Sequence, residues 1–101
     1  MNIEEKINEL KKVLDKAKDR SVDRNILFRD AENVVQMLRL ENAERCNDNP
    51  YTSEKITEYM EHLRRILGFR KGGSSPEGEY TWALKALDAL KSEFCFNTKN
   101  L

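Results

Sequence analysis

Residues 80–96, YTWALKALDALKSEFCF, are apolar around most of a helical circumference, and any fold of this chain has to cover that segment on more than one side. At 100° per residue Tyr80, Ala83, Leu84, Leu87, Leu90 and Phe94 fall on one face, as in a helix packed on a core. Thr81, Lys85, Asp88 and Ser92 make a narrow polar stripe. Trp82, Ala89 and Phe96, spaced i, i+7 and i+14, form a second apolar line roughly opposite the first. A helix of this kind needs two neighbours, which come from its own chain or from another molecule.

Three segments upstream also repeat apolar residues at helical spacing. Ile3, Ile7, Leu10, Leu14 and Ala17 follow one another at intervals of 4, 3, 4 and 3, a narrow seam of the coiled-coil type. Glu4 and Glu5 open this helix and Lys16 and Lys18 close it, the order that complements a helix dipole. After a break at residues 19–23, where Ser21 and Asp23 both qualify as N-caps, Leu27, Ala31, Val34, Val35 and Leu38 line a second helix ending near residues 43–46. Ile26, Phe28 and Met37 widen its apolar surface toward two neighbours.

The run CNDNPYTS at residues 46–53 is the clearest break in the chain, because Asn and Asp favour turns and Pro50 cannot continue a helix. Pro50 suits the first position of the next helix with Asn49 as its cap, and Thr52 or Ser53 is an equally good cap. Ile56, Tyr59, Met60, Leu63, Ile66 and Leu67 form a broad stripe on this third helix. Gly68 stops it in a left-handed C-terminal position, with Phe69 as the hydrophobic companion. Residues 70–75, RKGGSS, read as a loop, and Ser75, Pro76 and Glu77 supply the cap, proline and acid that open a fourth helix. Residues 97–101 carry no pattern.

The expected fold class is therefore all-α: one domain over residues 1–101, folded as a small antiparallel bundle of about four helices. The competing arrangement is a protomer of two or three helices completed by a second copy of the chain, so oligomerisation belongs to the expectation. Composition agrees, since 36% charged and 39% hydrophobic residues with only 4 Gly and 2 Pro suit amphipathic helices better than disorder or β-structure.

Lys plus Arg and Asp plus Glu both total 18, so any electrostatic function must be local. No apolar run approaches the length of a membrane span, and the first residues are acidic with no apolar stretch behind them. Neither a signal peptide nor a transmembrane segment is read, and the expected location is cytoplasmic. There Cys46 and Cys95 stay reduced.

Catalytic raw material is scarce. The single histidine, His62, has Glu58 four residues before it on the same helical face, which reads as a solvated pair rather than a base with its partner. A di-iron carboxylate site needs Glu three residues before His, and Tyr59 stands there instead. Cys46, His62 and Cys95 lack paired zinc-ligand spacing, so neither metal nor other cofactor is expected. Residues 68–75, GFRKGGSS, feed a helix N-terminus but lack the Lys-Ser/Thr pair and the preceding strand of a nucleotide-binding P-loop. The breaks around the third helix are also longer than the tight turn of a helix-turn-helix reader.

Two functions survive this reading. The first is a non-enzymatic interaction or regulatory protein that binds a protein partner or a second copy of itself through Trp82, Ala86, Ala89 and Phe96, where small residues let another helix approach an aromatic anchor. The alternative is binding of nucleic acid or a phosphate-containing ligand by Arg64, Arg65, Arg70, Lys71, Gly72, Gly73 and Ser74. This is the one local excess of charge, and no acid occurs between His62 and Glu77.

Overall fold

Each periodic segment forms a helix: α1 (Ile3–Ala17), α2 (Arg24–Arg45), α3 (Pro50–Ile66) and α4 (Pro76–Lys99). The computed structural model describes residues 2–99, with side chains through residue 94, so the expected interface residue Phe96 and the side chain of Cys95 lie outside the described residues.

The helix ends follow from short polar side chains. Asn2, an N-cap that the apolar periodicity does not announce, accepts a hydrogen bond from Glu5 N at 2.8 Å. Asp23 caps α2 through Asn25 N and Ile26 N, while Ser21 turns its hydroxyl to Asp19 instead. Asn49 caps α3, with Pro50 in the first turn; Thr52 and Ser53, the other candidates, lie inside the helix, and Thr52 is wholly buried. Gly68 at φ 81° ends α3 in a Schellman arrangement, with Phe69 N donating to Arg64 O at 2.8 Å and Gly68 N to Arg65 O at 3.1 Å. Ser75 Oγ accepts from Gly78 N at 3.2 Å and opens α4.

Between α2 and α3, Asn47 and Asp48 take left-handed conformations at φ 51° and 55°. The turn is closed by an amide bracket: Asn42 Nδ2 donates to Asn49 O at 3.1 Å and Asn49 N donates to Asn42 Oδ1 at 3.2 Å. This explains a buried asparagine on a helix face that otherwise holds Leu, Val and Ala.

Consecutive helices pack side by side and α4 returns to α1, so the four form a closed antiparallel ring. The direction of each pair is set by long-range contacts: Lys6 with Glu41, Arg39 with Thr57, His62 with Glu79, and Lys91 with Glu4. Leu10, Leu14, Leu38, Ile56, Leu63 and Leu90 are fully buried at the centre, each contributing about 1.5–3 kcal/mol by leaving water. Tyr59 crosses the core and donates to Leu10 O at 2.8 Å. Burial pushes its hydroxyl pKa far above the usual tyrosine value.

The seam of α1 is broader than its heptad spacing predicts, because the helix lies between α2 and α4 and buries Val13 and the stem of Lys6 as well. Of the residues expected to widen α2, Phe28 packs edge-on against Phe69 with ring centroids 5.6 Å apart, whereas Ile26 leaves about half of its surface in water and Met37 more than a third. The radius of gyration, 13.3 Å, matches the ~13 Å of a compact fold of about 100 residues. Four helices of one chain thus close the core, in place of the two- or three-helix protomer. Among the described residues no helix is long and apolar enough to cross a membrane.

Candidate functional site

The amino end of α4 inserts a carboxylate into the basic segment. Glu79 is 3% exposed. Its Oε1 accepts from Ser74 N at 2.9 Å, its Oε2 lies 2.5 Å from His62 Nδ1, and Arg65 Nη1 stands 3.8 Å away. Burial pushes the Glu79 carboxyl up, but the hydrogen bonds from His62 and the Ser74 amide, with His62 and Arg65 acting through space, outweigh burial and hold it below the usual carboxylate range. Gly73, at φ 84°, lies so close that an added Cβ would fall on Glu79 Oε1.

The other cations of the segment are engaged as well. Arg64 Nη1 reaches Glu61 Oε1 at 2.9 Å and lies over the Phe28 ring, and Arg70 pairs with the second oxygen of Glu61. The acids that neutralise the cluster, Glu61 and Glu79, sit just outside the acid-free window seen in the sequence. Lys71 alone among its four cations has no ion pair among the described residues, and it is exposed beside Gly72. His62 is not paired with Glu58, which takes Lys55 at 3.1 Å. The true partner of His62 lies 17 residues away on another helix, beyond the reach of a spacing argument.

Ser74 Oγ is also 3.5 Å from Glu79 Oε1, so a hydroxyl, a carboxylate and an imidazole stand together. Their order differs from a nucleophilic triad, in which the imidazole takes the proton of the hydroxyl. Here the carboxylate separates the two. Among the described residues no group of three or more His, Cys, Asp or Glu side chains is placed to hold a metal ion.

The line around Trp82 is divided. Trp82 is 54% exposed with Lys85 Nζ 4.6 Å from its ring centroid, Ala89 is half-buried, and Ala86 is buried in the core. Further along the same flank, Glu93 Oε1 accepts from Asn49 Nδ2 at 2.9 Å, which ties this side of α4 to the start of α3. The chain's own α3 therefore lies along part of the second apolar line.

Spacing did not reveal a third feature, a cavity of about 460 Å³ between the carboxyl end of α1 and the amino end of α4. Lys18, Arg20 and Arg24 line it, together with Ile66, Glu77 and Tyr80. Lys18 Nζ sits 3.6 Å from the centroid of the Tyr80 ring, and Tyr80 Oη donates to Asp15 at 2.6 Å. That hydrogen bond, reinforced by burial and by the charge of Asp15, raises the tyrosine pKa. Arg24 Nη1 is out of solvent and has no hydrogen-bond partner among the described residues, an arrangement that costs about 1–3 kcal/mol. In sequence the three cations are interleaved with Asp19 and Asp23, so no basic cluster is visible.

The fold defines an antiparallel four-helix bundle. Comparison with known proteins finds no matching family model, no matching curated protein and no matching solved structure.

Proposed function

We propose that this protein is a non-catalytic interaction protein, and that the flank of α4 around Trp82 docks a second copy of the chain. The observation that carries this reading is the exposure of Trp82, the single tryptophan, on a helix that already has α1 and α3 as neighbours. An aromatic side chain of this size left in water gains from cover, and tryptophan is enriched where interfaces concentrate their energy. Self-pairing suits the pattern because Ala89 lies two turns along the same line. When two such helices meet antiparallel about a twofold axis, each Trp82 ring sets over the other copy's Ala89, large against small.

Trp82→Ala tests the reading by light scattering. The variant is expected to run at the mass of one chain at concentrations where the unaltered protein runs as a pair, with its helical circular dichroism retained. Equal masses for the two proteins would remove the proposal. The basic segment at residues 64–75 supports a polyanion less well, because Glu61 and Glu79 already engage Arg64, Arg65 and Arg70.

A further inference from the structure

We propose that the cavity between α1 and α4 is a binding site for a small organic phosphate monoester. None of Trp82, Arg64, Arg65, Arg70, Lys71, Gly72, Gly73 and Ser74 lines it, and its volume of about 460 Å³ lies within the roughly 300–1,000 Å³ of small-molecule sites. Among the described residues none of Lys18, Arg20 and Arg24 forms an ion pair.

The acids nearest in sequence make no ion pair with these cations and direct their oxygens to other donors. Asp15 accepts from Tyr80 Oη, Asp19 from the amide and hydroxyl of Ser21, and Asp23 caps α2. Glu77 is the carboxylate that remains on the wall. Three cations and one carboxylate line the wall, so the groups facing the cavity are mostly cationic donors suited to an anion such as a phosphate monoester, which carries about −1.5 to −2 near pH 7.

The donors fit the same group. Arginine forks match phosphate oxygens in bidentate geometry, and the unmet Nη1 of Arg24 needs an acceptor. The Tyr80 ring, Ile66 and Ala17 give the rest of the wall an apolar surface suited to the organic part of an ester rather than to bare phosphate. Lys18, held over the Tyr80 ring, joins the charged and apolar parts of the wall.

Phenyl phosphate titrated into the full chain and followed by amide chemical shifts tests the assignment. Saturable shifts are expected at residues 17–24 and 76–81. Arg24→Gln and Arg20→Gln should each weaken binding about tenfold, the loss of one charge-assisted contact. Arg20 is exposed, so its replacement leaves folding out of the comparison. Glu77→Gln should tighten binding by removing the opposing charge, and Arg70→Gln should leave it unchanged. Inorganic phosphate should bind more weakly than phenyl phosphate. Absence of saturable shifts up to about 10 mM, binding that persists in both arginine variants, or benzoate binding as tightly as phenyl phosphate would overturn the proposal.

Discussion

His62 Nδ1 lies 2.5 Å from Glu79 Oε2, and through this contact the last turns of α3 hold the first turns of α4. The other oxygen of the same carboxylate takes the Ser74 amide, so one side chain fixes two helices and the loop between them. A buried acid is tolerated because its donors come from both sides of the connection it closes.

This arrangement predicts an acid-sensitive bundle. The Glu79 carboxyl is held below its ordinary value of 4.5 in the folded protein and returns to that value on unfolding. Between the two values the unfolded chain binds a proton that the folded chain does not, so the stabilisation is complete above pH 4.5 and is lost as pH falls through the folded value. Melting temperatures measured from pH 6 downward should fall more steeply for the unaltered protein than for Glu79→Gln. Asp19, held low by the Ser21 amide and hydroxyl, adds a dependence of the same sign that the variant retains. Parallel curves would mean that Glu79 is not the ionised keystone of this turn.

Two neighbouring glycines should respond differently to alanine. Gly72 and Gly73 both have positive φ, at 96° and 84°, so each substitution meets the left-handed penalty of about 1–2 kcal/mol. Only at Gly73 does the new Cβ also strike Glu79 and approach Arg65 Cδ to 2.8 Å; at Gly72 nothing lies within 4 Å. Urea denaturation should show Gly73→Ala the more destabilised variant. Equal losses would show that the loop moves away from Glu79 at little cost.

Thr52 offers a stabilising change. Its side chain is wholly inside, and its Oγ1 has no hydrogen-bond partner among the described residues. Valine keeps the shape and removes the unmet hydroxyl, so Thr52→Val is expected to raise stability by about 1 kcal/mol. A loss of stability in the same denaturation assay would place a partner on that hydroxyl.

Helix number and most boundaries were legible in the sequence because they depend on local chemistry. The spacing of Leu27, Ala31, Val34, Val35 and Leu38 lies within one helix, and Gly68 with Phe69 defines a stop within one turn. The site was legible only in part. Arg64, Arg65 and Arg70 look like spare charge until α3 and the loop fold, whereupon Glu61 and Glu79 meet them across turns that no periodicity encodes. Lys18 and Arg24 present the reverse case: their aspartate neighbours make them look neutralised, while those carboxylates are directed to Tyr80, Ser21 and the start of α2. Ala86 belongs by spacing to both sides of α4, and the bundle draws it into the core.

The most direct measurement of the docking proposal is the emission of Trp82 across a dilution series, with mass recorded by light scattering on the same samples. Since Trp82 is the single tryptophan, its spectrum reports the proposed contact alone. Pairing predicts emission that moves to shorter wavelength as concentration rises, in step with a mass that doubles from the 11.8 kDa of one chain. A mass of one chain and an unchanging, water-exposed spectrum over the whole series would contradict it.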